Sequence, residues 1–232
     1  MGKTSAAVNL AALAARAGAR TLLWDLDPQG GATYLFRVKP KVRGGAGKLL
    51  TRATEAASVI KATDEPGLDL LPADFSYRHM DLALDEFKRP TRRLARVLAP
   101  LLHDYEYVFL DCPPSISLVS ESVFETAHAL LVPVVPATLS SRTLAQLDGV
   151  LHDGPALLPF FSMVDRRRRL HRAVMDEMRA SRTDLLTAAI PASAEVERMG
   201  LERESLSAFA PRGRAALAYA ALWDEVRARV DQ

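Results

Sequence analysis

Two apolar runs that each end in acidic residues constrain the fold of this chain more than any other feature. The stretch "RTLLWDL" covers residues 20–26, and "YEYVFLDCPPS" reaches Asp111 just before two prolines, which stop a regular element from continuing. Such runs are typical of buried parallel strands whose carboxyl ends face a site. Because helical patterns alternate with these runs, the sequence predicts an α/β fold: a mostly parallel, doubly wound sheet with helices on both faces.

The remaining elements continue this alternation within one predicted domain, residues 1–232. A helix is predicted over residues 4–17, with Gly18 ending it. Residues 38–65 lack a regular pattern, and "GGAGKLL" within them is interpreted as a flexible loop entering a helix, because no strand precedes it and no Ser or Thr follows its Lys. Further strands are predicted in "LDLLPAD", "ALLVPVVPA" and "ALLPFFSMV", and further helices over residues 77–87 and 90–102 and in "SSRTLAQLDGVL", "RRRRLHRAVMDEMRAS" and "GRAALAYAALWDEVRARV".

Composition places the chain among ordinary globular proteins. Hydrophobic residues make up 49% and charged residues 25%, and the formal net charge is only +2, so net charge indicates no particular partner. Cys112 is the only cysteine, which excludes an intrachain disulfide and a cysteine zinc cluster. No apolar run approaches the roughly 20 residues of a membrane span. We therefore expect a cytoplasmic protein with no membrane partner.

The segment "GKTS", residues Gly2, Lys3, Thr4 and Ser5, matches the end of a phosphate-binding loop of the G-x-x-x-x-G-K-[ST] kind. It begins a predicted helix, whose free N–H groups and positive dipole end stabilise phosphate oxygens. In such a site the Lys reaches the β- and γ-phosphates and the Thr hydroxyl binds Mg²⁺. These four residues are the predicted nucleotide-binding residues.

Three aspartates at predicted strand ends add acidic groups to the predicted nucleotide-binding site. Asp111 stands where a Walker-B carboxylate holds the metal, so Thr4 and Asp111 are the predicted Mg²⁺ residues. Asp25 and Asp27 end another strand and are the predicted catalytic residues, placed to orient water near the γ-phosphate. Taken singly, each aspartate could equally belong to a solvated turn. The combination with "GKTS" favours a site.

Together these segments resemble the ParA/MinD-type deviant Walker ATPases, closest to the Soj-like ParA partition group. The pair "DLDPQG" and "DCPPS" is the most specific part of the resemblance, which extends over nearly the whole chain. It implies ATP and Mg²⁺ as cofactors, an ATP-dependent homodimer, non-specific DNA binding in chromosome or plasmid partition or cargo positioning, a ParB-like or cargo adaptor partner, and a nucleoid-associated location. It also implies that Asp25 and Asp27 belong to a switch segment and that Pro211 lies near the adenine.

The sequence departs from this family at its start. The family pattern is K-G-G-x-G-K-T-[ST], and here the first Lys, which the resemblance implies contacts the partner's nucleotide, is absent together with both following glycines and the preceding strand. An absent strand leaves backbone groups of its neighbours unpaired, which is costly. We expect the native protein to begin upstream, with Met1 at the variable loop position. The alternative is a family member that has lost ATP binding.

The strongest local charge run is "DRRRRLHR", with Arg166, Arg167, Arg168, Arg169 and Arg172. Charge runs commonly form a solvated helix face. Four arginines at a helix N-terminus oppose the helix dipole, however, which favours an external anion. With the family's basic DNA surface implied in this region, these five arginines are the predicted DNA-binding residues. A second basic group, residues 88–96, is interpreted as the solvated face of a helix.

Two other functions remain open at this stage. One is a nucleotide-free DNA-binding adaptor that keeps the fold, and the other is a ligase related to cobyrinic acid diamide synthase, which would activate a carboxylate with ATP. The closing helix carries an apolar stripe, for which docking onto the sheet is favoured over binding to a membrane.

Overall fold

The computed structural model describes residues 2–151 and 154–231, and its strands form two sheets. The first sheet has the order β2-β3-β1-β4, in which β1 pairs in parallel with β3 and β4, and β2 pairs antiparallel with β3. The second has the order β5-β6-β7 and is parallel. The strands are β1 (Thr21–Asp25), β2 (Lys61–Ala62), β3 (Leu68–Leu71), β4 (Tyr107–Asp111), β5 (Ala129–Val134), β6 (Ala156–Val164) and β7 (Ala189–Pro191).

Eleven α-helices are assigned in the described residues, and most connect consecutive strands. They are α1 (Lys3–Arg16), α2 (Gly31–Leu35), α3 (Gly45–Leu50), α4 (Met80–Asp85), α5 (Arg93–Leu98), α6 (Leu118–Thr126), α7 (Thr138–Val150), α8 (Arg169–Ser181), α9 (Ala194–Glu202), α10 (Leu206–Phe209) and α11 (Arg214–Val230). Short 3-10 helices cover Ala56–Ser58, Phe75–His79 and Pro90–Arg92.

Strand β1 is fully buried because helices cover both faces of the sheet. Successive side chains of a strand point to opposite faces, and Leu23 packs in one core with α1 and α11 while Leu22 and Trp24 pack in another with α3, α4, α5 and α6. A third core lies between β6 and α8. This arrangement confirms the predicted α/β architecture.

The closing helix α11 packs onto the sheet. Tyr219, Leu222, Trp223 and Val226 are buried, and Trp223 makes an edge-on contact with Tyr107 of β4, with ring centroids 5.0 Å apart. This burial agrees with the predicted docking of the apolar stripe. Separately, no helix in the described part of the chain is long and apolar enough to span a bilayer.

Two local predictions were wrong. Residues 45–50 of "GGAGKLL" form helix α3, because Gly44 adopts the left-handed conformation at its start and the Ser76 hydroxyl accepts a hydrogen bond from the Ala46 N–H. Helix α8 begins only at Arg169. The three preceding arginines lie in a turn, where Asp165 accepts the backbone N–H groups of Arg167 and Arg168. Of the four consecutive arginines, only Arg169 therefore lies within the first turn of the helix, where the dipole acts.

Candidate functional site

The N-terminus of α1 borders a small cavity at the carboxyl edge of the first sheet. No side chain caps this helix, so its first N–H groups are free of side-chain acceptors. The cavity has a volume of about 190 Å³. It is lined by Gly2, Lys3, Thr4, Ser5, Asp27 and Pro114. The structure thus brings the four predicted nucleotide-binding residues together with one predicted catalytic aspartate.

Position 2 requires glycine for two separate reasons. Gly2 has φ of 88°, in the left-handed region that other residues rarely adopt. A Cβ atom at this position would also lie 2.7 Å from the Ser162 hydroxyl of β6. The backbone before α1 therefore packs closely against β6.

Lys3 connects α1 to the loop that follows β4. Its Nζ donates a hydrogen bond to the Pro113 carbonyl at 3.1 Å. The half-buried ammonium therefore stays within reach of the cavity that its own residue lines. This contact joins the ammonium to an uncharged carbonyl oxygen, which a phosphate oxygen can replace with a stronger bond between opposite charges.

Asp111 is a buried carboxyl group beside the Thr4 hydroxyl and the Lys3 ammonium. It is 1% exposed, and neither oxygen accepts a hydrogen bond of normal length and angle from the described residues. Burial and, to a lesser extent, the nearby Asp25 raise its pKa from 3.8 to about 7, although the Thr4 hydroxyl and the Lys3 ammonium oppose the shift. Unpartnered buried carboxylates are costly. Asp111 is therefore suited to bind a metal cation.

Asp25 lies opposite Asp111 in the β1–β4 register, but its surroundings differ. Its Oδ2 accepts the Thr33 N–H at 2.8 Å and the Thr33 hydroxyl at 2.7 Å, and its Oδ1 accepts the Asp27 N–H at 3.3 Å. Burial raises its pKa, and these hydrogen bonds counteract that effect. Asp25 thus holds the turn after β1 and the start of α2 in place.

Asp27 is half-buried and lines the cavity directly. Its Oδ1 accepts the Gln29 N–H at 2.9 Å, which leaves the other carboxylate oxygen without a hydrogen bond among the described residues. Of the two predicted catalytic aspartates, Asp27 is the one that lines the cavity.

The donor set fits Mg²⁺ bound together with a phosphate ligand. Among residues 2–151 and 154–231, no three Asp, Glu, His or Cys side chains cluster as a metal site. Mg²⁺ in phosphate sites uses only one or two carboxylates and takes its remaining ligands from water and phosphate. The unpartnered Asp111 carboxyl, with the Thr4 hydroxyl nearby, supplies such a partial set.

Sequence reasoning missed two buried polar residues that support the site. The Thr33 hydroxyl accepts a hydrogen bond from the Ala73 N–H at 2.8 Å and donates one to Asp25. These two bonds connect the end of β1 to the residues that follow β3. Asn9 donates to the Ser5 carbonyl at 2.7 Å and accepts the Leu206 N–H at 2.8 Å. The sequence offered one signal for Asn9, because it is a polar residue between apolar residues of the predicted helix over residues 4–17. No local pattern identified Thr33.

Pro211 and the five arginines lie outside this cavity. Pro211 is exposed in the turn between α10 and α11 and is not among the cavity-lining residues. The arginines follow β6, the strand whose Ser162 contacts Gly2. All five are exposed, and none forms an ion pair within the described part of the chain.

Comparison with known proteins agrees with this geometry. A family model described as an AAA domain matches residues 1–152. The chain is 30% identical over 208 residues to the chromosome partitioning protein ParA of Caulobacter vibrioides, covering 84% of this chain and 78% of that protein. The chain belongs to the ParA/MinD family of P-loop ATPases. It is also 29% identical over 238 residues to the sporulation initiation inhibitor protein Soj of Bacillus subtilis, covering 98% of this chain and 94% of Soj.

Solved structures of the same fold include two other kinds of protein. Cobyrinic acid a,c-diamide synthase from Mycobacterium smegmatis, with a bound ATP analogue and magnesium, has a TM-score of 0.79 and 26% identity, covering 100% of this chain and 92% of that one. The cell division ATPase MinD of Pyrococcus furiosus has a TM-score of 0.80 and 21% identity, covering 98% of this chain and 94% of that one. The second likeness shows the shared fold.

Proposed function

We propose that this ParA-family protein binds Mg-ATP at the start of α1 and uses ATP binding and hydrolysis to control dimerisation and DNA binding in chromosome or plasmid partition or cargo positioning. The observation that carries the proposal is the buried, unpartnered carboxyl of Asp111 beside the cavity-lining residues Lys3 and Thr4. The solved relative with an ATP analogue and magnesium supports these cofactors.

Each residue of the site has a distinct task in this proposal. Lys3 exchanges the Pro113 carbonyl for phosphate oxygens, and the N–H groups at the start of α1 bind further oxygens. Thr4 and Asp111 hold Mg²⁺, which when bound neutralises charge on the phosphates. Asp27 orients the attacking water and accepts its proton, and Asp25 keeps the Asp27 turn in position through its N–H.

Equilibrium binding of a fluorescent ATP analogue, with Mg²⁺ or with EDTA, tests the nucleotide site. We expect binding that depends on Mg²⁺ and falls at least about tenfold in Asp111→Asn and in Lys3→Ala, since each loses a charge-assisted contact. Lys61→Ala, an exposed lysine on β2, is the matched control. Binding that is the same with EDTA and unaffected by both site variants would contradict the proposal.

The exposed arginines after β6 are the proposed DNA surface of an ATP-dependent homodimer. They carry no internal ion pairs among the described residues, so their charges remain available to phosphates. Such binding is independent of sequence and weakens with salt, with a log–log slope of about −0.9 per phosphate neutralised. A nucleoid-associated location and a ParB-like or cargo adaptor partner belong to the same proposal, as does adenine contact by Pro211.

Retention on non-specific duplex DNA with Mg-ATP tests this surface. We expect Arg167→Glu with Arg168→Glu to reduce retention strongly at low salt and to make the salt slope shallower. Lys88→Glu with Arg89→Glu changes the charge equally in the second basic group and is the control. Equal loss in both double variants would show that only net charge matters, and unchanged retention in the first would contradict the surface.

A ligase of the cobyrinic acid a,c-diamide synthase type is a second candidate, favoured by the 26% identity to that enzyme. It predicts ATP hydrolysis that depends on a carboxylate substrate rather than on DNA. Product analysis with ATP, an amide donor and a corrinoid carboxylate separates the two functions. A nucleotide-free adaptor, the third possibility, predicts DNA retention with no bound ATP.

A further inference from the structure

Residues 165–168, called here the arginine turn, connect β6 to α8. The Asp165 carbonyl accepts the Arg168 N–H at 3.1 Å, and the Asp165 Oδ1 accepts the Arg167 N–H at 3.0 Å. Such paired bonds are typical of a turn with Asp at its first position. Arg166, Arg167 and Arg168 are all exposed. The backbone of the turn is therefore fixed by Asp165, while its three arginine side chains remain in solvent.

A side chain of the next helix also holds this turn. The His171 Nδ1 accepts the Asp165 N–H at 3.1 Å. Together with the bonds to Arg167 and Arg168, this contact engages the N–H, the carbonyl and one carboxylate oxygen of Asp165. His171 is the third residue of α8, so the first turn of the helix reaches back to the end of β6. Helix α8 therefore closes the turn that precedes it.

His171 is a polar residue in an apolar stripe. It is 4% exposed and begins the buried side of α8, which continues with Val174, Met175 and Met178. A ring nitrogen buried there without a partner is costly, whereas an apolar side chain at the same position has no polar group to satisfy. The choice of histidine therefore indicates a role for the hydrogen bond to Asp165 in addition to packing.

The arginine turn concentrates positive charge at a cost to the folded protein. None of Arg166, Arg167 and Arg168 forms an ion pair in residues 2–151 and 154–231, and like charges on consecutive residues repel one another. Fixing the turn also removes conformational entropy. The hydrogen bonds of Asp165 and His171 offset these costs in the free protein. A turn that is already ordered binds a polyanion more tightly than a flexible one, because less entropy is lost on binding.

We propose that His171 is a positioning residue for DNA binding, because its Nδ1 holds the arginine turn in the conformation that presents Arg167 and Arg168 to duplex phosphates. This role rests on the proposed function, which supplies the DNA ligand. His171 is too buried to contact a phosphate and acts only through the backbone of Asp165. The arginines provide the charge, and His171 fixes the backbone that carries them.

Two substitutions separate the hydrogen bond of His171 from its packing. His171→Phe keeps a planar ring but removes the acceptor, whereas His171→Asn is smaller but places an oxygen at the position of Nδ1. If packing decides, His171→Asn is the more harmful variant, and if the hydrogen bond decides, His171→Phe is. His79→Phe is the matched control, because the exposed His79 also accepts a hydrogen bond through its ring, from the Arg78 Nε at 2.9 Å, outside the arginine turn.

Amide hydrogen exchange without DNA, and retention on non-specific duplex DNA with Mg-ATP, measure the two steps separately. In His171→Phe we expect the Asp165 amide to exchange about tenfold faster and the DNA affinity to fall roughly fivefold to tenfold. In His171→Asn we expect both values to stay within about twofold of the wild type, since the acceptor is restored. The amides of Leu22 and Leu23 in β1 report on overall folding and should be protected equally in every variant.

The outcomes distinguish this role from the DNA surface itself. Unchanged exchange at Asp165 in His171→Phe overturns the role of His171, and so does a larger loss of DNA affinity in His171→Asn than in His171→Phe. Faster exchange with unchanged DNA affinity also overturns it, and the DNA surface is upheld if Arg167→Glu with Arg168→Glu still reduces retention. Full retention in that arginine variant contradicts the proposed DNA surface. If His171→Phe loses protection at Leu22 and Leu23, His171→Leu replaces it under the same criteria.

Discussion

Asp25 and Asp111 occupy matching positions and have opposite surroundings. They end neighbouring parallel strands, lie opposite one another in register and are both buried from solvent. Asp25 accepts three hydrogen bonds, whereas Asp111 accepts none of normal geometry from the described residues. The difference teaches that a buried carboxyl group at a strand end can either stabilise the fold or bind a ligand. The number of hydrogen bonds that it accepts from the protein distinguishes these two roles.

The two carboxyl groups also differ in their expected effect on the free energy of unfolding. Asp25 connects β1, the turn after it and α2, and through Thr33 it reaches Ala73. Burial and the nearby Asp25 raise the pKa of Asp111 to about 7, and the opposing Thr4 hydroxyl and Lys3 ammonium offset only part of that shift. Removing Asp25 should therefore destabilise the fold, and neutralising Asp111 should stabilise it while harming the site.

The largest expected effect is that of Asp25→Ala. This change leaves the Thr33 N–H and hydroxyl without their acceptor in a buried region, and we expect unfolding free energy to fall by about 3 to 5 kcal/mol. Urea denaturation measures it. Asp27→Ala, which removes a single hydrogen bond to the Gln29 N–H, is the control, with a loss below about 1 kcal/mol. A similar loss of unfolding free energy in both variants would contradict the structural role assigned to Asp25.

The second effect has the opposite sign and depends on pH. Because the folded-state pKa of Asp111 is raised from 3.8 to about 7, the folded protein binds more protons than the unfolded chain between these values, and stability falls as pH rises through this range. Asp111→Asn should remove that loss and raise unfolding free energy by about 2 to 4 kcal/mol at pH 8, with little change at pH 4.

Denaturation in EDTA at both pH values measures this difference without metal. Asp104→Asn, seven residues earlier at an exposed position, is the control and should show no comparable pH dependence. An equal effect of Asp111→Asn at pH 4 and pH 8 would show that the carboxyl is not held in a strained, desolvated state.

The smallest of these effects is expected for Thr33→Val. The substitution keeps the side-chain shape but removes the hydroxyl, so that the Ala73 N–H loses its acceptor and Asp25 loses one donor. We expect a loss of about 1 to 3 kcal/mol, smaller than that of Asp25→Ala. Thr51→Val, at an exposed position in a loop, is the control. If Thr33→Val costs nothing, Asp25 is held by other contacts.

The sequence predicted the strands better than the connections between them, and the structure brings the residues of "GKTS" together with Asp27 at one cavity. Strand β6 matches the predicted "ALLPFFSMV" from end to end, because a continuous apolar run leaves few alternatives. Residues 45–50 and the arginine turn were mispredicted, since Ser76 and Asp165 decide them through tertiary and local hydrogen bonds. The different roles of Asp25 and Asp111 could not be predicted, because they depend on where Thr33 folds back.

In the proposed function Asp111 binds Mg²⁺ together with a phosphate ligand, and thermal unfolding of the protein isolated from its own cells tests this binding most directly. We expect ATP with Mg²⁺ to raise the melting temperature of the wild-type protein and ATP with EDTA to do so much less. We also expect Asp111→Asn to abolish the Mg²⁺-dependent increase, although it stabilises the ligand-free protein at pH 8. An identical Mg-ATP increase in the wild type and in Asp111→Asn, or no increase in the wild type, would contradict it.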